Sequence, residues 1–222
     1  MRWGELVTSQ VPHVPGFDAG KIGMKFKASM LFVFLLVSVP GFSVTEGGPT
    51  EQLKPIIDEL VSILADDSLK GKDHKTERRE KIMGVISSGF SFREMSRRVL
   101  GRTWNELSDD ERDYFVTQMT KLLENVYVGT LESYSGETVS FVGERIKGRR
   151  AQVTTLISDG QESIPVHYIM QQVQAQWLVY DINVEGVSLV RNYMEQFRAI
   201  IRKEQYEGLI KAIEEKNRSF EL

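Results

Sequence analysis

No cysteine occurs in the 222 residues. That excludes disulfides and also a lipid attached at an N-terminal cysteine. Histidine is scarce: His13, His74 and His167 lie far apart in the sequence, and no His/carboxylate cluster has metal-ligand spacing. A glycine-rich phosphate loop of the P-loop type and a G-x-S-x-G nucleophile turn are both absent. Excess basic charge is missing too. Four basic and two acidic residues precede Glu46, which leaves 24 basic and 29 acidic residues from Glu46 onward, a net charge of −5. A mildly acidic domain is a poor match for phosphate neutralisation, so nucleic-acid binding is not expected.

Long apolar runs are lacking as well. Met30–Val39 has ten residues with only Ser38 as a polar interruption, and a helix of ten residues spans about 15 Å, half a bilayer core. Lys21, Lys25 and Lys27 precede the run, and Pro40, Gly41 and Ser43 follow it. A basic flank, a short apolar run and small residues predict a secretory signal peptide over 24–43, cleaved just after Ser43, and a soluble exported chain. The alternative is a permanent membrane anchor. Residues 1–23 contain Pro12 and Pro15 and no helical or strand period. They read either as an extension created by too early a start, with Met24 the true one, or as a disordered leader. Residues 44–50 then form a linker, 51–217 the domain and 218–222 a tail.

The first half of the domain has helical periods. Leu53, Ile56, Ile57, Leu60, Ile63 and Leu64 share a face, with Thr50 placed to cap and Pro55 tolerable near the first turn. The charged Asp66–Lys75 segment reads as a loop, and a second helix is predicted from Thr76 towards Ser87. Ser91 with Glu94, and Ser108 with Glu111, have the spacing of capping boxes. The first opens a short helix to Leu100, ended by Gly101. The second opens a long helix to about Tyr134, with Phe115, Met119, Leu122, Leu123, Val126, Tyr127 and Leu131 along a wide apolar stripe.

After Tyr134 the period changes to two. Val139 and Phe141 alternate, then Val153, Thr155 and Ile157, then Ile164, Val166, Tyr168 and Met170. Short polar links predict hairpins and a largely antiparallel four-stranded meander, with Pro165 marking an edge or a bulge. The fourth strand, Val179 to Val184, is apolar on both faces and is broken at Gly186, after which Ser188 can cap a helix. That helix runs to about Lys203, and a last one lies near Tyr206–Lys216. Helices on either side of one antiparallel sheet give a single α+β domain.

Three ordered stretches carry a family resemblance. They are Asp181 with Glu185-Gly186-Val187-Ser188-Leu189, Asn192-Tyr193 and Gln196-Phe197; Phe92-Arg93-Glu94-Met95-Ser96-Arg97-Arg98-Val99-Leu100-Gly101-Arg102; and Tyr134-Ser135-Gly136-Glu137. Together they resemble the MlaC family, also called the toluene-tolerance family, over Lys54 to Lys211. The resemblance implies a periplasmic phospholipid carrier whose helices and sheet enclose an apolar pocket. Phospholipid is then cargo, and no cofactor is implied. The partners implied are an inner-membrane ABC transporter complex with an MlaD-like protein and an outer-membrane MlaA-like complex. The role implied is outer-membrane lipid asymmetry and solvent tolerance, performed by a monomer.

On that reading the inward strand positions Val139, Phe141, Val153, Val166, Tyr168 and Met170 are candidates to line the pocket. Val126, Val187, Leu189, Tyr193 and Phe197 are the helical candidates. Alternation assigns a strand's face only relative to itself, so any whole strand can be reversed. Arg97, Arg98 and Arg102, with Arg93 nearby, have three open readings: contact with a lipid phosphate, pairing with Glu94, Glu106 or Asp109, or electrostatic guidance of a partner. Two other functions stay open. One is a periplasmic adaptor without lipid, with a filled core and an exposed apolar patch. The other is an acid–base isomerase using Asp181 with Tyr168 or Tyr180.

Overall fold

The structure, a computed structural model, describes residues 47–221. The predicted extension, the signal peptide and residues 44–46 of the linker lie outside the described residues. Helix α1 (Pro49–Ala65) begins inside the segment expected as linker. Thr50 is not its cap: Gly48 holds that position, and Pro49 occupies the first helical turn, where a missing N–H costs nothing. The orphaned amides find carboxylates instead, Gly48 N–H donating to Glu51 at 2.8 Å and Thr50 N–H to Glu144 at 2.8 Å. Pro55 therefore sits beyond the first turn, inside the helix.

Helices α2 (Lys75–Gly89), α3 (Phe92–Leu100) and α4 (Asp109–Glu132) follow. Ser108 and Glu111 form the expected reciprocal cap of α4. Only half of the expected box forms at Ser91. Its hydroxyl accepts from Glu94 N–H, but its own N–H donates to Val179 O at 2.7 Å, leaving the Glu94 side chain for Arg97 and Arg98.

Strands β1 (Thr138–Lys147), β2 (Arg150–Ser158), β3 (Ser163–Val173), β4 (Gln176–Val184) and β5 (Val187–Ser188) form one sheet in sequence order, every neighbour antiparallel. The meander is thus the expected four strands plus a two-residue fifth. Pro165 pairs with Leu156, but β4 pairing starts only at Val166, so the proline is at a local edge. Bulges interrupt β1 between Phe141 and Gly143, and the β3–β4 pairing between Ile169 and Met170.

Helix α5 (Leu189–Arg218) joins the two helices expected at the C-terminal end. Gln205 (φ 60°, ψ −170°) is non-helical inside it, so the expected break is a kink. A β-carbon at Gly208 would lie 2.2 Å from Glu204 Cβ, so the close approach at the kink requires glycine.

Three apolar cores result. Met95, Val99, Phe115, Met119 and Phe197 belong to a core among α3, α4 and α5. Leu53 and Ile57 of α1 cover the sheet at Val153, Val166, Tyr168 and Met170. Leu64, Ile82 and Val128 form a third, smaller cluster. Among the described residues, no helix is long and apolar enough to cross a membrane.

Candidate functional site

The chain turns from β4 into β5 through Glu185 and Gly186, both with positive φ (51° and 88°), as a two-residue type I′ turn requires. The turn carries Ser188 back beside β4, where its hydroxyl donates to Asp181 Oδ2 at 2.7 Å. Val190 N–H donates to Asp181 Oδ1 at 3.0 Å, and Ser188 Oγ accepts from Arg191 N–H at 3.0 Å. Asp181 and Ser188 together cap α5, so this stretch fastens the last helix to the sheet.

The Phe92–Arg102 stretch docks on the same strand. Arg98 stacks on the Tyr180 ring at 3.9 Å and donates to Glu94 at 2.8 Å. Arg97 makes a two-pronged contact with the same carboxylate, both bonds at 2.7 Å. Burial works to raise the Glu94 pKa, but the Arg97 hydrogen bond and the charges of Arg98 and Arg97 prevail and hold it below the ordinary carboxylate value. Arg93 pairs with Asp113 and lies over Trp104. In Tyr134–Glu137, the buried Glu137 carboxylate accepts from Ser135 N–H and Oγ, closing the turn from α4 into β1.

Where the three cores meet, the side chains leave a partly open cavity of about 250 Å³. An apolar void of about 150 Å³ already accepts benzene. Leu53, Ile56, Ile57 and Leu60 of α1 form one wall, and Met83 and Ile86 of α2 extend it. Phe90, Phe92 and Met95 enter from the start of α3, and Leu123, Tyr127 and Leu131 from α4. The floor is the sheet end that carries the β2–β3 turn, with Ile157, Ile164, Val166, Tyr168, Ile182 and Val184. Val179 and Ile182 both reach it although they are three residues apart, because the bulge at Tyr180 resets the alternation. Gly89 lets α1 and α2 close together: a β-carbon there would lie 2.4 Å from Ile56 Cδ1.

Polar groups on this wall are few. Glu124 is paired with Arg79. The Tyr168 hydroxyl is 3.5 Å from Thr155 Oγ1, and burial pushes its pKa upward. The buried Tyr127 hydroxyl has no well-formed hydrogen bond. The Tyr193 phenol lies beside it, and burial followed by the Tyr127 hydroxyl pushes the Tyr193 pKa upward. Among the described residues, no three His, Asp or Glu side chains are grouped to hold a metal ion.

Of the candidates named from the sequence, Val166, Tyr168 and Leu189 stand on the cavity wall. Val139, Phe141, Val153 and Met170 lie in the core between α1 and the sheet. Val126, Tyr193 and Phe197 lie in the helical core, where the Tyr193 and Phe197 rings are 5.5 Å apart. Val187 is half-buried in β5. Asp181 and Tyr168 do not converge on the cavity, since Asp181 faces the α5 cap. The wall residues of α1 and α2 were visible only as ordinary helical periodicity, which marks an apolar face but not what that face meets.

The family model of the MlaC protein matches residues 54–215. The chain belongs to the MlaC family. This MlaC-family chain is similar to the intermembrane phospholipid transport system binding protein MlaC of Haemophilus influenzae. The two are 21% identical over 192 residues, which cover 84% of this chain and 90% of that protein. It is also similar to the solved phospholipid-binding protein from Ralstonia solanacearum, which is in complex with a phospholipid. That match has a TM-score of 0.70 and 21% identity, and it covers 79% of this chain and 100% of that one. At that identity the likeness is one of fold. The Asp181–Ser188 cap and the Glu94–Arg98–Tyr180 contact explain what two of the sequence motifs do: they hold α5 and α3 around the cavity.

Proposed function

We propose that this chain is a periplasmic phospholipid carrier that exchanges lipid with an inner-membrane ABC transporter complex through an MlaD-like protein and with an outer-membrane MlaA-like complex. The observation that carries the reading is the apolar cavity where the sheet meets the helices. Family membership supports it, as do the H. influenzae relative named for intermembrane phospholipid transport and the R. solanacearum structure holding a phospholipid. Burying a methylene is worth about 0.8 kcal/mol, so one sixteen-carbon chain contributes on the order of 10 kcal/mol. A lipid therefore does not leave a bilayer for water unaided, whereas a dry pocket of matching polarity makes its transfer nearly isoenergetic. Direction then falls to the partners, and so does any nucleotide hydrolysis.

An open cavity favours a carrier over an adaptor, whose core would be filled. Engagement of Asp181 by Ser188 and Val190 favours a capping role over that of a catalytic base.

The test is transfer of a fluorescent phospholipid from donor to acceptor vesicles by the purified chain. Native protein is expected to accelerate transfer, and Val166→Arg, which puts a cation on the cavity floor, to abolish it while the domain still melts cooperatively. No acceleration by the native chain contradicts the reading, as does full activity in a folded Val166→Arg variant.

A further inference from the structure

The β1–β2 and β3–β4 turns leave the sheet at the end opposite the β2–β3 turn, away from the cavity floor. The nine residues of β2 put about 30 Å between the two ends. Arg149 ties the two hairpin tips together: its carbonyl accepts from Gln172 N–H at 2.9 Å and its guanidinium donates to Gln172 O at 3.1 Å. Arg145 and Lys147 are two residues apart on β1, and Arg150 pairs with Lys147. All three therefore share the face opposite Ala151 and Val153, which α1 covers. Glu144, the carboxylate next to them, is turned to the α1 side, where it accepts from Thr50 N–H. Among the described residues, none of Arg145, Lys147, Arg149 and Arg150 forms an ion pair with a carboxylate. Large aliphatic side chains stand beside them, Ile146 51% exposed and Val173 40%.

We propose that these joined hairpin tips are a docking surface for a bilayer rich in anionic phospholipid. Charge complementarity selects that partner. From Glu46 onward the chain has a net charge of −5, yet this end gathers four cations that no carboxylate neutralises. An anionic surface repels the rest of the molecule and attracts this end, so it turns the chain tip first. Guanidinium and ammonium groups then meet lipid phosphates. Ile146 and Val173 gain by entering the boundary between head groups and acyl chains, an interface that is charged above and apolar below. Cations flanked by exposed aliphatic side chains suit that layering better than they suit the polar rim of an acidic protein. Docking at this end leaves the cavity at the other end free, so it neither requires nor blocks bound lipid and stands apart from the carrier reading.

The experiment is co-sedimentation of the purified chain with sucrose-loaded vesicles, made of phosphatidylcholine alone or of phosphatidylcholine and phosphatidylglycerol in equal parts. Native chain is expected to bind the mixed vesicles about tenfold or more tightly than the neutral ones, and to be released as salt screens the exposed charges. Lys147→Gln and Arg150→Gln are each expected to weaken that binding about fivefold, the value of one cation at an anionic surface. Ile146→Ser is expected to weaken it as well. Lys147 and Arg150 are both exposed, so their variants are expected to keep the native melting temperature. Equal binding to the two kinds of vesicle overturns the proposal, as does unchanged binding by the Lys147→Gln/Arg150→Gln double variant. Absence of vesicle binding overturns it too, and salt-sensitive capture on polyglutamate would then assign the surface to an acidic protein.

Discussion

Asp181 shows how one residue of this chain fits two readings until its neighbours are placed. A carboxylate behind an apolar strand is consistent with an acid–base catalyst. Here both of its oxygens accept hydrogen bonds from Ser188 and Val190. Asp181→Ala is expected to cost about 2 kcal/mol, measured by urea denaturation, because it removes a buried cap and leaves donors unpaired. Glu94 makes a pH-dependent contribution. Its pKa is held below the 4.5 of the free side chain, so its stabilisation is complete above that value and is lost as pH falls through the lower folded-state value. Glu94→Gln is expected to cost about 1 kcal/mol near pH 7, and the gap from native protein should close in acid below pH 4.5. A constant gap across that range would place the effect in packing instead. The roles of Arg97 and Arg98 were undecided in the sequence because a lipid phosphate, a carboxylate of Glu94, Glu106 or Asp109, and a partner surface all suit a guanidinium. The structure gives both arginines to Glu94.

At the scale of elements, order and type were legible and faces were not. Apolar periods, serine caps, glycine stops and the change of period at Tyr134 locate the five helices, four strands and the break in the last helix. What escaped is the bulge at Tyr180. Strict alternation would send Val179 and Ile182 to opposite faces, and one extra residue brings both to the cavity. The bulge beyond Phe141 had a similar effect, bringing Glu144 opposite Val153 and within reach of the start of α1. Close packing of α1 on α2 was equally hidden, since Gly89 looks like any helix-ending glycine. Gly89→Val is expected to lower the melting temperature by several degrees, about 1–2 kcal/mol, by forcing Ile56 aside. It should also reduce bound lipid, because Ile56 and Gly89 both line the cavity. An unchanged melting temperature would mean that α1 yields freely.

For the whole molecule, the cavity is a product of convergence. Its wall draws on the sheet core, the helical core and the small third cluster, and no single segment contains it. That is why only Val166, Tyr168 and Leu189 of the candidates named from sequence stand on it: a periodic pattern marks an apolar face, whereas a void depends on what fails to meet that face. Side chains predicted inward, such as Val153 and Met170, are buried at the other end of the sheet, where Trp177 and α1 fill the space. Val153→Arg and Val166→Arg should therefore differ. The first is expected to unfold the domain, since Val153 is fully buried, and the second to leave it folded without lipid. Circular dichroism melts with phosphorus analysis of the purified variants separate the two outcomes. The most direct measurement of the central claim is native mass spectrometry of the chain after export to a bacterial periplasm. The account predicts an added mass equal to one diacyl phospholipid, lost on extraction. A bare protein mass, unchanged after incubation with phospholipid vesicles, would contradict it.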